Sequence, residues 1–400
     1  MTLRRAALVS TTCCLALTFS GCPDKKPEPP PEVKVATPVV EPPRPAETPE
    51  PRAEKECAAP IDLSPPVDVT IGTRAAKASG YKLTFSEKDA DGTLTLGVLG
   101  PVNEDSGPNI LTLRKYVKFF QQEKADAIVV TGDVGEVAAG IARALEELAA
   151  SKLPVLVIAG NRECRAEYSD GVSAAQKEHS NIVNMNLVRA VEFPEATLVS
   201  LPGYHDQNFI TCATGCRYHK STVDEVVRVA KESKGPVVLV SHGPPHGDGS
   251  QALDYASAGG NVGNEQINQA IQEGNIAFGL FSNIKEAGAR ATSDAAGTTI
   301  LKPATPSKTL YLNPGPADTV GWEMNDGTKS LGLAAVMSIQ NGQASYKLFR
   351  AKALTAAEKA EAKKLEPPAR PEGGEETMPA KGEAPSPPPG TPAGAPVPTP

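Results

Sequence analysis

The feature that most constrains the fold is a series of short, β-branched apolar runs, each of which ends in a turn-forming or polar residue. Runs of about four to eight such residues bounded by turn formers are typical of buried strands. The sequence predicts such strands at residues 93–99, 127–130, 155–158, 196–201, 237–240, 277–281 and 309–312. The first of them alternate with amphipathic helical patterns at 111–122 and 137–150. This alternation predicts an α/β domain in which helices cover the sheets.

Towards the C-terminus the pattern changes to antiparallel strands. Two apolar runs, 331–339 and 344–350, flank Asn341-Gly342, a dipeptide that favours the tight turn of a β-hairpin. Combined with the preceding alternation, this order predicts a four-layer α/β/β/α sandwich with mixed sheets over residues 67–353. A segment rich in Ala, Glu and Lys follows at 354–366, and it is typical of a solvated C-terminal helix.

Most of the proline lies at the two ends of the chain, at residues 22–66 and 367–400. Both stretches lack apolar periodicity, so they cannot bury enough surface to offset the entropy lost on ordering. We therefore expect disordered Pro-rich segments to flank the domain, the first as a tether and the second as a tail.

The N-terminus predicts export. Two arginines precede an apolar run that ends at Phe19 and is followed by Ser20, Gly21 and Cys22, the arrangement of a signal peptide over residues 1–21. The run is shorter than the roughly 20 residues that span a bilayer. The segment resembles the lipobox of bacterial lipoproteins, in which Cys22 is the lipidated first residue. We expect a cell-envelope protein, lipid-anchored on a periplasmic or outer surface; an ordinary secretory signal with an incidental cysteine is the alternative.

The net charge of the chain limits the classes of partner. The net charge of -7 and the lack of a Lys/Arg-rich stripe argue against nucleic acid as a partner.

Removal of the signal and lipidation of Cys22 would leave Cys57, Cys164, Cys212 and Cys216, an even set with three possible disulfide connectivities. The spacing of the last two could close a small loop. A zinc site is the alternative, although the second CxxC pair typical of such sites is missing.

Polar residues follow three of the predicted strands. Asp133 follows the strand at 127–130, Asn161 follows that at 155–158, and His242 comes soon after 237–240. Ligands of open α/β sheets bind beyond the carboxyl ends of the strands, so we expect these side chains to converge at one sheet edge. Their oxygen and nitrogen atoms are hard and borderline metal ligands. Taken singly, each residue is also consistent with an ordinary turn or loop hydrogen bond.

These residues belong to four motifs, which resemble those of the calcineurin-like metallophosphoesterases over residues 94–316. The motifs are Gly132-Asp133-Val134-Gly135-Glu136, Gly160-Asn161-Arg162-Glu163, Ser241-His242-Gly243-Pro244-Pro245 and Asn313-Pro314-Gly315-Pro316. The resemblance implies the four-layer sandwich and a two-metal centre, in which Asp133 bridges the ions while Asn161 and His242 bind the second ion.

Several positions depart from the family pattern. Pro101 and Asn103 stand where the family has an aspartate and a histidine, and Asn283 and Lys285 stand in two further histidine positions. Arg162 replaces the histidine that assists the leaving group or holds the phosphate in active members. An ammonium about 4 Å from a divalent ion costs on the order of 8 kcal/mol at an effective dielectric near 20.

The sequence therefore predicts a degenerate centre with Asp133, Asn161 and His242 as a weak remnant set. We expect no metal, or one weakly bound divalent ion of the manganese, iron or zinc class. The basic side chains of Arg162 and Lys285 are expected to substitute for the lost ions by neutralising Asp133.

The expected function is a non-catalytic module that binds an anion or an envelope protein, with Arg162, Lys285 and Asn103 as anion-binding candidates. The alternative is an active, divergent metal-dependent phosphoesterase that uses fewer or other ligands. Acidic and histidine residues near the motif loops could rebuild such a centre: Glu104, Asp105, Glu136, Glu163, His205, Asp206 and His246.

Overall fold

The computed structural model describes residues 57–87 and 91–368. The predicted signal peptide, its Cys22, residues 22–56 of the tether and residues 369–400 of the tail lie outside the described residues. Within them, no helix is long and apolar enough to cross a membrane.

The described residues form α-helices and β-strands in two sheets, with two short additional ribbons. The helices are α1 Gly107–Gln122, α2 Ala138–Ala149, α3 Arg165–Glu178, α4 Lys220–Glu232, α5 Glu265–Glu273 and α6 Ala356–Lys364. The strands are β1 Val67–Ile71, β2 Arg74–Ser79, β3 Lys82–Phe85, β4 Thr93–Leu99, β5 Ala127–Val130, β6 Val155–Val157, β7 Ile182–Asn184, β8 Ala190–Glu192, β9 Thr197–Leu201, β10 Val237–Ser241, β11 Tyr255–Ala256, β12 Gly260–Asn261, β13 Phe278–Leu280, β14 Arg290–Thr292, β15 Ile300–Leu301, β16 Leu310–Asn313, β17 Trp322–Glu323, β18 Lys329–Ser330, β19 Leu333–Gln340 and β20 Gln343–Arg350.

One sheet has six strands in the order β20-β19-β4-β5-β6-β7. Strands β4 to β7 are parallel, whereas β19 pairs antiparallel with both β4 and β20. The hairpin predicted at Asn341-Gly342 is confirmed, since Gln340 pairs with Gln343 and both turn residues have positive φ. That geometry matches the right-handed twist of the flanking strands.

The other sheet has ten strands in the order β1-β2-β3-β8-β9-β10-β13-β16-β14-β15. Its centre, β9-β10-β13-β16, is parallel and buried. The antiparallel strands β1 to β3 at its edge were not predicted, because exposed and buried residues mix along them instead of forming an apolar run. The seven predicted strands coincide with β4, β5, β6, β9, β10, β13 and β16 to within a residue or two.

Three apolar clusters define the layers. The first lies between the two sheets and includes Leu96, Leu198 and Phe278. The second joins the six-stranded sheet to α1, α2 and α3, and the third joins the ten-stranded sheet to α4 and α5. This arrangement confirms the predicted α/β/β/α sandwich.

The ends of the domain contact its body. Residues 57–63, assigned above to the tether, pack on the domain because Ala59 and Ile61 bury their side chains. The Ala59 N–H donates to the Asn186 carbonyl at 2.8 Å, and the Arg189 guanidinium donates to the Ala59 carbonyl at 3.0 Å. At the other end, α6 lies on α1 instead of standing in solvent: Ala362 is buried, and Lys115 pairs with Glu358 at 2.6 Å.

Candidate functional site

The loops that follow β5 and β6 approach each other unusually closely, and two glycines make this possible. Gly132 has a φ of +99°, and a Cβ there would lie 2.7 Å from the Gly160 backbone. A Cβ on Gly160 would lie 2.3 Å from Oδ1 of Asp133. Asp133 itself has a φ of +57°, in the left-handed region that costs energy for a residue with a side chain. The chain therefore turns sharply to present the Asp133 carboxylate beside the second loop.

The structure brings Asp133, Asn161 and His242 together. All three are buried. His242 Nε2 lies 2.9 Å from Asn161 Oδ1 and 3.4 Å from Asp133 Oδ1. The same Asp133 oxygen accepts hydrogen bonds from the backbone N–H groups of Asn161 and Arg162, both at 3.1 Å. We refer to Asp133, Asn161 and His242 as the retained half of the site.

The prediction that these residues meet at one sheet edge was wrong in one respect. Asp133 and Asn161 follow strands of the six-stranded sheet, whereas His242 follows β10 of the ten-stranded sheet. The two sheets pack face to face, so the carboxyl ends of their parallel strands lie side by side. The retained half therefore spans the interface between the sheets.

The hydrogen bonds of His242 assign its tautomer. Nδ1 lies 2.8 Å from the Thr131 carbonyl, so Nδ1 carries the proton that is donated there. The Nε2 lone pair then faces two oxygens, Asn161 Oδ1 and Asp133 Oδ1. Nε2 and the two oxygens all present lone pairs to one another. These lone pairs repel unless a proton or a metal ion lies between them. Imidazole, amide and carboxylate donors fit one divalent ion of the zinc or manganese class.

A different network occupies the other side, which we call the substituted half: Asn103, Lys285, Asp318 and Trp322. The buried Lys285 ammonium lies 4.2 Å from the centroid of the Trp322 ring and donates to Asn103 Oδ1 at 3.4 Å. The Asn103 amide donates in turn to Asp318. Asp318 Oδ1 accepts from the Trp322 indole N–H at 2.9 Å. The ammonium is thus held by a cation–π contact and by a chain of hydrogen bonds.

The electrostatics of the substituted half follow from its burial. Burial lowers the pKa of Lys285, and the charges of Asp133 and Asp318 oppose that shift. Burial likewise raises the pKa of Asp318, against the effect of Lys285 and of the hydrogen bonds from Trp322 and Asn103. Each charge partly offsets the effect of burial on the other group, and Asn103 links the two groups by hydrogen bonds. Sequence reasoning missed Asp318 and Trp322, because they follow the last motif and match no family position.

The two basic residues expected to neutralise Asp133 have other partners. Lys285 hydrogen-bonds to Asn103, and the Arg162 guanidinium forms an ion pair with Glu136. Among the described residues, the only side-chain cation or imidazole within ion-pair distance of the Asp133 carboxylate is His242. Lys285 acts on Asp133 through space, and direct neutralisation by contact is not what the structure shows.

A cavity of about 340 Å³ opens beside the substituted half. Its lining includes the three anion-binding candidates, Arg162, Lys285 and Asn103, together with four acids, Glu104, Asp105, Glu136 and Asp318. Lys285 is enclosed, whereas the Arg162 side chain is 36% exposed and its partner Glu136 is 43% exposed. Of the two basic residues, Arg162 is therefore the one that is accessible to an incoming anion.

The acids and histidines proposed to rebuild a metal centre do not cluster. Among the described residues, no group of three or more histidine, cysteine, aspartate and glutamate side chains is arranged to hold a metal ion. Asp206 caps a short turn by accepting from Asn208 N–H, and the His246 backbone is tied to Asn268. Asp206 therefore has a local structural role, whereas Glu104, Asp105 and Glu136 line the cavity.

Glu163 has a bracing role. Its buried carboxylate accepts from the backbone N–H groups of Val134 at 2.6 Å and Gly160 at 2.9 Å, and so connects the two motif loops. Burial, followed by the charge of Asp133, raises the pKa of Glu163 to about 8. The carboxyl group supports Asp133 from behind.

A loop at residues 205–217 closes the retained half from outside. The Asn161 amide donates to the Phe209 carbonyl at 2.5 Å, and the Tyr204 ring lies 6.4 Å from the His242 ring. A disulfide between Cys164 and Cys212 fixes this loop beside Asn161. The bond resolves part of the connectivity left open by the sequence, and it excludes the small Cys212 to Cys216 loop.

Comparison with known proteins identifies a family. The sequence family described as calcineurin-like phosphoesterase matches residues 105–276. None of the curated proteins compared with the chain is significantly similar to it in sequence.

Solved structures with related folds include the protein TT1561 of Thermus thermophilus, at 14% identity and a TM-score of 0.40, covering 56% of this chain and 90% of that one. A dimetal phosphatase from Danio rerio is 13% identical, with a TM-score of 0.39, and covers 65% and 99% of the two chains. The purple acid phosphatase PPD1 from yellow lupin, Lupinus luteus, is 9% identical, with a TM-score of 0.39, and covers 75% and 62%.

Proposed function

Residues 105–276 form a calcineurin-like phosphoesterase domain, and on that premise we propose that the domain no longer hydrolyses phosphate esters by a two-metal route. It works instead as a non-catalytic binding module of the cell envelope, with the cavity beside Arg162 as its ligand site. The divalent ions of an active relative would supply the nucleophilic hydroxide and a clamp on the reacting oxygens.

The observation that carries this proposal is the network of the substituted half. A two-metal centre needs ions roughly 3.5–4 Å apart, each with its own ligands. In this chain the buried Lys285 ammonium, stacked on Trp322 and linked through Asn103 to Asp318, takes up the side where Pro101 and Asn283 supply no metal ligand of the family type. The network satisfies its own charge, so it has no need of a cation.

The ligand that suits the cavity is a small anion. Arg162 is exposed enough to exchange Glu136 for another acceptor, and a guanidinium binds phosphate or carboxylate through paired hydrogen bonds. The single tryptophan of the chain, Trp322, lines the same cavity, so its fluorescence reports binding without a label. Titration with inorganic phosphate should change this signal, and Arg162→Ala should abolish the change.

The retained half supports a second candidate, a phosphoesterase that uses one ion. Asp133, Asn161 and His242 offer three converging donors, which is enough to hold a single divalent ion weakly. In that case the ion would polarise a bound phosphoryl oxygen, and His242 and Asn161 would orient it.

Hydrolysis of bis-p-nitrophenyl phosphate separates the two candidates. The assay is run with added Mn²⁺ and with a chelator, on the unmodified chain, on Asp133→Ala and on a matched surface variant, Asp68→Ala. We expect no turnover above background in any of them. Chelator-sensitive turnover that survives in Asp68→Ala and disappears in Asp133→Ala would establish the one-ion enzyme and overturn the non-catalytic assignment.

The envelope location is part of the proposal and rests on the sequence of the N-terminus. Lipidation at Cys22 would anchor the chain, and a Pro-rich tether of this length would hold the domain roughly 100 Å from the membrane. Cys22→Ser should move the protein from the membrane fraction to the soluble fraction. An unchanged distribution would contradict the lipid anchor.

A further inference from the structure

Cys57 and Cys216 meet at the place where the chain enters the domain. The Cys216 side chain is buried, and its thiol shares a hydrogen bond with the thiol of Cys57. Cys57 also packs against the apolar cluster that contains Cys216. Two residues further on, the hydrogen bonds of Ala59 with Asn186 and Arg189 hold this entry segment on the domain surface. These hydrogen bonds hold the Cys57 side of the contact in place.

The neighbouring cysteines are already joined. Cys164 and Cys212 form a disulfide, and the backbone of Cys164 pairs with Gly215, next to Cys216. All four cysteines of the domain thus lie in one small region, around the loop at residues 205–217. An oxidant that reached this region to join the first pair would find the second pair in contact.

We propose that Cys57 and Cys216 form a second disulfide, which makes them an oxidative modification site that ties the entry segment to the loop beside Asn161. The oxidant is a disulfide of the thiol–disulfide oxidoreductase or glutathione class. The Cys57 thiolate attacks it, forms a mixed disulfide and releases one thiolate. The Cys216 thiolate then attacks the Cys57 sulfur and releases the second. The two protons from the cysteines go to the released thiolates, so one disulfide is reduced while one is formed.

The surroundings of the two thiols set this order of attack. The hydrogen bond with Cys57, followed by burial, raises the pKa of the Cys216 thiol above its ordinary value. Cys57 is half-buried, and it lines an open pocket together with Arg165 and Arg217. Cys57 is therefore the thiol that an outside disulfide can reach.

The second bond would brace the candidate site. Cys212 fixes one part of the loop to Cys164, three residues after Asn161, and Cys216 would fix the next part to the entry segment. Between these anchors and β9 lies Phe209, whose carbonyl accepts from the Asn161 amide. Since the inference rests on the cysteine geometry alone, it holds whether or not the domain is catalytic.

Peptide mapping tests the bond directly. The mature full-length chain is equilibrated in a glutathione redox buffer, alkylated in denaturant and digested with trypsin, with a Cys22→Ser version to keep that thiol out of the reaction. Residues 190–217 form one tryptic peptide that contains both Cys212 and Cys216. We expect it to remain joined to peptides 163–165 and 56–74 until reductant is added.

Alkylated Cys57 in peptide 56–74, with 163–165 still joined to 190–217, would overturn the proposal. A thermal measurement gives an independent readout. Cys57→Ser and Cys216→Ser should each lower the Tm of the oxidised protein by about 5–10 °C, and reductant should then lower all forms to a similar value. If a variant fails to fold, the map of the unsubstituted chain still decides.

Discussion

The two halves of the candidate site differ in how their charged and polar groups are arranged. The retained half keeps Asp133, Asn161 and His242, whose donor atoms face one another without a cation of their own among the described residues. The substituted half holds its positive charge on Lys285 and its negative charge on Asp318. The retained half presents converging lone pairs, and the substituted half contains a buried ammonium.

The largest effect is expected when ligands of the family type are restored in the substituted half, because this change should remove the difference in metal binding between the two halves. A chain with Pro101→Asp, Asn103→His, Asn283→His and Lys285→His regains ligands of the family type and loses the repelling ammonium. We expect bound manganese to rise from at most one ion to two per chain, measured by elemental analysis after gel filtration. Adding Asp133→Ala to this chain should return it to one ion or none. Two ions in the unmodified chain would show that the halves never differed.

The next largest effect should come from Trp322. Trp322→Leu removes the cation–π contact with Lys285 and the indole hydrogen bond to Asp318, so we expect a loss of about 2–4 kcal/mol in the free energy of unfolding. Urea unfolding followed by circular dichroism measures it. Phe209→Leu, at an exposed aromatic side chain, should cost less than about 0.5 kcal/mol. Equal losses in both variants would mean that the network adds nothing beyond apolar contact.

A smaller effect is expected on the retained half when the charge of its neighbour is removed. Lys285→Met keeps the length of the side chain and deletes an ammonium within electrostatic range of Asp133. The affinity of the retained half for Mn²⁺ should then increase about tenfold, as measured by calorimetry at low ionic strength. Lys329→Met, at an exposed position, should leave the affinity unchanged. Equal Mn²⁺ affinities in the two variants would show that the charge of Lys285 does not affect metal binding by the retained half.

The smallest effect concerns the support behind the substituted half. The hydrogen bond with Lys115, followed by those with Thr355, lowers the pKa of Glu358 to about 2. A lowered pKa stabilises the docked α6 at pH values above about 4.5, and this contribution is lost as the pH falls towards 2. Hydrogen exchange of residues 356–364, corrected for intrinsic rates, should therefore accelerate between pH 6 and pH 3. Glu358→Gln should show the faster exchange at both pH values.

The acid-induced change bears on the comparison because the end of α6 is linked to the cavity beside the substituted half. The Arg143 guanidinium donates to the Leu365 carbonyl and also to the Asp105 carbonyl, and Asp105 borders the cavity. Loss of α6 should loosen this loop and change Trp322 fluorescence. The retained half should not respond, and a response there would indicate general unfolding.

Much of the fold could be predicted because buried parallel strands leave an unmistakable pattern. The strand at residues 93–99 coincides with β4, and the Asn341-Gly342 turn fixed the hairpin between β19 and β20. Strands β1 and β2 were not predicted, because they lie at the edge of the sheet, where most of their residues are exposed or only half-buried. Packing of α6 on α1 was also not predicted, since its one buried alanine, Ala362, leaves no amphipathic stripe.

Several residues of the site could be predicted from the sequence, but the contacts between them could not. Motif spacing located Asp133, Asn161 and His242, and the departures from the family pattern located Lys285. The partners of Lys285 could not be inferred, because Asp318 lies in the loop after β16 and Trp322 begins β17, and no motif marks either position. The connection between Cys164 and Cys212 likewise depends on the fold, since sequence separation does not reveal which of four cysteines lie close together.

One consequence follows from the origin of His242 in a different sheet from Asp133 and Asn161. The His242 ring follows a strand of one sheet and contacts Asn161 and Asp133, which follow strands of the other sheet. A displacement of one sheet relative to the other would therefore change these distances. The chain has five histidines, few enough for their ring protons to be resolved one by one in an NMR spectrum. The chemical shifts of the His242 ring protons then report the relative position of the two sheets, and they should change with core substitutions far from the site.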